Sequence, residues 1–186
     1  QPVVTVCGDS TFYHAVLPAL INAVHHRADV LMAVLDNSGT AMTGFQPHPG
    51  SAVNALGEPV PPVDIEPLCR SLGVSVEVRD PFDLAETRRA VNRLLEQGGV
   101  RVLVLRQSCA LSPAKRAKRA FRVHVDDAAC LGESCGCGRF CTRVFRCPGL
   151  LWDKAAGKAR IDEVICAGCG ICSFICPQGA IVKEVP

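Results

Sequence analysis

A large charge of either sign is missing from this chain of 186 residues. Twenty Lys and Arg against 18 Asp and Glu leave a formal net charge of +2, so the global signal of a nucleic-acid or polyanion binder is absent. No apolar run approaches the roughly 20 residues of a membrane span. The most apolar stretch, Ala15 to Val24, is short and carries Pro18 and Asn22. No basic-then-apolar signal peptide opens the chain. An initiator Met is missing too. Gln1 leads at once into the strand-like run Val3 to Cys7, which reads as a piece of a longer polypeptide. Aromatic residues are scarce, with one Trp, one Tyr and seven Phe.

Cysteine is present in excess. There are twelve, and nine of them, Cys130 to Cys176, fall in the last 57 residues. In a small secreted protein such density reads as disulfides. Here the first hundred residues have the composition of an ordinary buried-core protein. The cysteine spacing suits metal or cluster ligation better, which requires free thiols and a reducing compartment, the cytoplasm.

Residues 1–106 alternate strand and helix signals. Apolar runs at Val3–Cys7, Val30–Leu35, Val74–Val78 and Val100–Leu105 predict strands. Thr11 to Arg27 predicts a helix with a local irregularity at Pro18. Asp64 and Asp83 are N-cap candidates for helices over 65–72 and 84–97, the second ended by Gly98-Gly99. Apolar strands separated by helices predict a parallel sheet covered on both faces, an α/β fold. Residues 107–122 read as a linker, whose run Lys115-Arg116-Ala117-Lys118-Arg119 suits either a solvated segment or docking of an acidic partner. Residues 123–186 are few for a self-sufficient core, and bound clusters would staple them.

Cys166-Ala-Gly-Cys169-Gly-Ile-Cys172-Ser-Phe-Ile-Cys176-Pro177 matches the run C-x2-C-x2-C-x3-C-P of bacterial ferredoxins. Short loops converge three thiolates on one cluster, and Gly168 and Gly170 leave amides free for sulfur. The fourth cysteine of such a run ligates the neighbouring cluster. Cys166, Cys169 and Cys172 are therefore assigned with Cys147, which stands before Pro148. Cys176 goes to the other cluster. Four cysteines compete there for three places: Cys130, Cys135, Cys137 and Cys141, in an irregular register. The sequence favours Cys130, Cys137 and Cys141, with Cys135 in reserve. Val125-Asp126 before Cys130 echoes Ile161-Asp162 before Cys166, which suggests a duplicated unit. A zinc site is the bland alternative. Cys7, Cys69 and Cys109 read as small core residues.

Gly8-Asp9-Ser10 ends one strand and opens a helix, and Asp36-Asn37 ends the next strand. Ligands of parallel sheets bind at the carboxyl ends of strands. Asp9 and Asn37 offer hard oxygens suited to Mg²⁺ with phosphate, beside helix N-terminal amides. The same residues are also common turn formers.

These strand ends resemble the thiamine diphosphate motif. The loop from Asn37 through Thr43-Gly44-Phe45-Gln46 to His48 and Gly50 is similar to that of the 2-oxoacid:ferredoxin oxidoreductases, nearest the indolepyruvate enzymes. The resemblance extends into the two-cluster module. It implies a partial thiamine-diphosphate-binding domain (1–106) followed by a small α+β ferredoxin domain (123–186) with two [4Fe–4S] clusters. It implies Mg²⁺ held by Asp9, Asn37 and the carbonyl of Gly39, with Gly8, Ser10, Thr43, Gly44 and Gln46 near the cofactor. It sets His48 on the substrate side as a catalytic candidate, although a loop histidine is an equal reading. The implied reaction is oxidative decarboxylation of a 2-oxo acid such as indolepyruvate with coenzyme A, electrons passing singly to ferredoxin. The glutamate that faces the aminopyrimidine would come from elsewhere in the polypeptide or a separate subunit, and a second catalytic subunit would complete the enzyme. This piece alone should be inactive. The competing reading is a dedicated electron-transfer protein whose α/β half is a docking scaffold.

Overall fold

The computed structural model describes residues 3–112 and 119–185. The chain divides into two compact units, Gln1–Cys109 and Ala110–Pro186.

The first unit is a four-stranded sheet of β1 (Val3–Gly8), β2 (Val30–Asp36), β3 (Ser75–Arg79) and β4 (Val100–Arg106), ordered β1-β2-β4-β3. All three pairings are parallel. One face packs Met32, Val34, Val76, Val102 and Val104 against Phe12, Leu20, Ile65 and Cys69. The other packs Leu31 and Leu103 against Ala90 and Leu94. Each fully buried aliphatic side chain contributes roughly 1.5–3 kcal/mol. β1 is an edge strand, and Val3, Val4 and Val6 are exposed.

The helices follow from their caps and spacing. Asp64 caps α3 (Ile65–Ser71) by accepting from the amide of Glu66, and Ile65 and Cys69 bury one face at a spacing of four. Asp83 caps α4 (Leu84–Glu96) through the amide of Glu86, and Ala90 and Leu94 repeat that spacing. Arg101 is wholly buried beside α4. Its Nε donates to the carbonyl of Leu94 at 2.9 Å, and its Nη1 meets Asp29 and the carbonyl of Gly99.

The first helical segment departs from a regular helix. α1 (Asp9–Thr11) passes through a π-helical stretch, Phe12–Val16, into α2 (Leu17–His25). Pro18 cannot donate to the carbonyl four residues back and crowds it. A wider turn just upstream relieves that clash. The irregularity expected at Pro18 thus falls on the five residues before α2.

The second unit has two antiparallel pairs: β5 (Arg122–Val125) with β8 (Ile181–Glu184), and β6 (Leu150–Asp153) with β7 (Lys158–Ile161). Short helical turns, Gly132–Cys135, α5 (Phe140–Arg143) and Ile171–Phe174, carry several cysteines. Val123, Leu150, Ala159, Cys172 and Ile181 form the core. Arg119 and Phe121, read from sequence as linker, are hydrogen-bonded into this unit. The Arg119 side chain donates to the carbonyl of Glu163 at 2.6 Å and the Phe121 amide to that of Gly168 at 3.1 Å. Lys115 to Lys118 lie outside the described residues.

Candidate cofactor site and thiol cavities

Adjacent parallel strands bring Asp9 and Asn37 together, because Gly8 pairs with Leu35 at the carboxyl ends of β1 and β2. Asp9 is 2% exposed. Its Oδ1 accepts from the amide of Ser10 at 2.8 Å. Its Oδ2 accepts from the amides of Asn37 at 3.0 Å and Gly39 at 3.3 Å. Asn37 Oδ1 also accepts from Gly39, at 3.2 Å. Ser38, between them, has φ of 66°, the left-handed turn that aims both amides at one carboxylate. Thr40 Oγ1 donates to Ser10 Oγ at 3.1 Å. Above Gly8 the space is open, with no atom beyond its chain neighbours within 4 Å of where a side chain would begin.

His48 is 7% exposed. Its ring packs against Asp9, with Nε2 at 3.1 Å from Oδ2. Gly50 donates its amide to His48 Nδ1 at 3.0 Å. Thr43 and Gln46 pair with one another at 2.6 Å on an exposed turn, where Gly44 is left-handed at φ 119°. Among the described residues, no hydrogen bond joins either of them to Asp9.

Two further residues support this site. Tyr13 stacks on His48 with ring centres 5.3 Å apart and donates its hydroxyl to the carbonyl of Val63. Burial, then the carboxylates of Asp36, Asp64 and Asp9, push its hydroxyl up to about 12. Arg106 at the end of β4 clamps Asp36 at 2.7 Å and Asp64 at 2.6 Å. It thereby ties the strand end that carries Asn37 to the cap of α3. The hydrogen bond to Asp64 raises its own pKa. Cys7 and Cys69 sit in the core, and burial pushes the Cys69 thiol up to about 11.

In the second unit the thiols line two cavities. Cys147, Cys166, Cys169 and Cys172 frame one of about 380 Å³, lined mostly by apolar groups including Leu111, Phe145 and Ile165. The amide of Gly168 donates to Cys166 Sγ at 3.4 Å. Burial, then the neighbouring thiols led by Cys169, push Cys172 up to about 12. These side chains could hold a cationic cluster that relieves their mutual repulsion. Cys130, Cys135, Cys137, Cys141 and Cys176 line the other cavity, of only about 20 Å³. It is room for about one water, so a cluster there requires these thiols to move apart. Cys135 hydrogen-bonds the Cys137 thiol. Among the described residues, no three His, Cys, Asp or Glu side chains close on a single metal ion.

The two halves of this unit repeat each other at an offset of 36 residues. Asp126 Oδ1 accepts from Ala128 and Ala129 at 2.8 and 3.2 Å, as Asp162 Oδ1 does from Val164 and Ile165 at 2.9 and 3.2 Å. Each aspartate's carbonyl accepts from the amide of the cysteine four residues on, Cys130 at 2.9 Å and Cys166 at 2.8 Å.

A family model described as thiamine pyrophosphate enzyme, C-terminal TPP binding domain, matches residues 1–105. A 4Fe-4S binding domain model matches residues 159–182. The chain is 40% identical over 186 residues to indolepyruvate oxidoreductase subunit IorA of Pyrococcus horikoshii, covering 97% of this chain and 28% of that protein. It is 41% identical over 185 residues to the subunit of the same name from Methanothermobacter thermautotrophicus, covering 99% and 28%. The chain thus spans a little over a quarter of the length of these relatives. A solved structure of a putative thiamin diphosphate-dependent enzyme from Mycobacterium smegmatis aligns with 59% of this chain and 18% of its own, at 19% identity and a TM-score of 0.44.

Proposed function

The chain belongs to the thiamine pyrophosphate enzymes by its C-terminal TPP binding domain, and on that premise we propose that it is the cofactor-holding and electron-conducting part of a 2-oxo acid oxidoreductase. The observation that carries this reading is the union in one chain of the Asp9–Asn37 strand-end site with a cavity framed by four thiols.

Asp9 and Asn37 Oδ1, with the carbonyl of Gly39, would hold Mg²⁺. The open space above Gly8, at the start of a helix, would take the diphosphate. Thiamine diphosphate, when bound, supplies the electron sink for decarboxylation. The overall change joins a 2-oxo acid to coenzyme A and gives an acyl thioester, CO₂, a proton and two electrons. Indolepyruvate is the proposed substrate, since the matched relatives are named for it. The electrons would leave singly through two [4Fe–4S] clusters to ferredoxin. Cys147, Cys166, Cys169 and Cys172 would hold one cluster. Cys176 with three of Cys130, Cys135, Cys137 and Cys141 would hold the other. Thiolates on one zinc ion at about 2.3 Å would stand within about 4 Å of each other. Among the described residues no three such side chains close on one ion, and the 4Fe-4S match over 159–182 favours a cluster. The α/β half would extend through residue 106 and the ferredoxin half from 123, in the cytoplasm, completed by further polypeptide and a second subunit.

The test is anaerobic bleaching of the cluster absorbance by indolepyruvate and coenzyme A in the intact enzyme. Bleaching that requires added thiamine diphosphate is expected. Iron-loaded enzyme that no 2-oxo acid bleaches would leave only the electron-transfer reading.

A further inference from the structure

Asp9 divides its hydrogen bonds unequally between its two oxygens. Oδ2 accepts from the amides of Asn37 and Gly39, and His48 Nε2 stands 3.1 Å from the same oxygen. Among the described residues, Oδ1 accepts from Ser10 alone. An ionised carboxylate has about four lone-pair sites over its two oxygens. Oδ2 is saturated, and Oδ1 retains a free site for a cation.

His48 is fixed on several sides. Gly50 donates to Nδ1 at 3.0 Å, so that nitrogen is unprotonated and the proton of the neutral ring sits on Nε2. Tyr13 covers the ring, and its hydroxyl is tethered to Val63. A Cβ on Gly50 would come within 2.5 Å of the Tyr13 hydroxyl and 3.0 Å of His48 Cε1, so the ring has no space to retreat. The His48 side chain is 2% exposed. Nε2 makes no aligned hydrogen bond in this arrangement. The oxygen of Asp9, at 3.1 Å, is the acceptor it faces.

We propose that His48 is a positioning residue for Asp9: wedged by Tyr13 and Gly50, it holds Oδ2 so that Oδ1 is presented to the divalent cation. This rests on the reading of Asp9 as a cation ligand. Residues that orient a metal ligand typically change metal affinity by about 10–100-fold when removed.

The test uses Mn²⁺ as the probe, with thiamine diphosphate and the intact enzyme, and reads free Mn²⁺ by EPR. His48→Phe keeps the ring's bulk and loses the donor, and should weaken Mn²⁺ about tenfold or more. His48→Gln returns an N–H near the position of Nε2 and should recover most of that loss. The KM for the 2-oxo acid at saturating Mn²⁺ should stay unchanged in both. If His48→Phe fails to fold, His48→Asn, too short to reach Asp9, takes its place with the same expectation. Unchanged Mn²⁺ affinity in a folded variant, or a raised KM at saturating metal, would overturn the positioning role alone. Wild-type enzyme that binds no Mn²⁺ with the cofactor would overturn the cation site, and this proposal with it.

Discussion

Gly50 shows how one residue without a side chain can hold a site in shape. Tyr13 and His48 together occupy the space its Cβ would need. Gly50→Ala should therefore destabilise the first unit by about 1–3 kcal/mol, the range for overpacking a filled site. Urea unfolding followed by far-UV circular dichroism would read it. Tyr13 gives a second residue-level expectation. Its hydroxyl is raised from 10.0 to about 12, first by burial and then by nearby carboxylates. The folded chain keeps a proton that the unfolded chain releases between those values. The stability it contributes is whole below pH 10 and is lost as pH rises through about 12. Urea midpoints should fall across that window, and fall less in Tyr13→Phe. The packing of Gly50 against Tyr13 was not legible in sequence. Tyr13, His48 and Val63 are far apart along the chain, and nothing in local spacing says that one loop folds back over the first helix. Asp9 and Asn37 were legible, because strand-end chemistry is local and a parallel sheet dictates where strand ends meet.

At the scale of elements, the second unit is built from two half-repeats. The aspartate echo visible in sequence is an Asx turn in each half, and the following cysteine is hydrogen-bonded alike in both. The inserted residues fall after that shared turn, among the thiols. This is why the register of Cys135, Cys137 and Cys141 could not be resolved from spacing, and why five thiols crowd the smaller cavity. The exchange of Cys147 and Cys176 between cavities was legible, since C-P ends each motif and the strand pairs return each end to the other half. Cys176→Ser should thus cost the cluster of the Cys130 half and leave the other, halving the iron content while Cys166 remains protected from alkylation. Trp152 is the single tryptophan and lines the smaller cavity. Its fluorescence should be quenched in cluster-loaded protein and should rise on cluster removal. In Cys176→Ser it should already be high. The strands and caps of the first unit were read to within a residue or two. The π-helical turn was not, because a proline marks strain without saying which upstream hydrogen bond will yield.

For the whole molecule, the charge that nearly cancels overall is divided between the units. Residues 1–109 carry eight Lys and Arg against eleven Asp and Glu, and residues 110–186 carry twelve against seven. The candidate cation site thus lies in an acidic unit and the thiol cavities in a basic one. Conduction through two [4Fe–4S] clusters places both in the basic unit, although its two cavities differ greatly in size. Anaerobic iron and acid-labile sulfide analysis, with EPR of the dithionite-reduced protein, tests that most directly. About eight irons per chain with spin-coupled reduced signals are expected for two [4Fe–4S] clusters. About four irons with one isolated signal would rule out the second cluster and leave a single centre on Cys147, Cys166, Cys169 and Cys172.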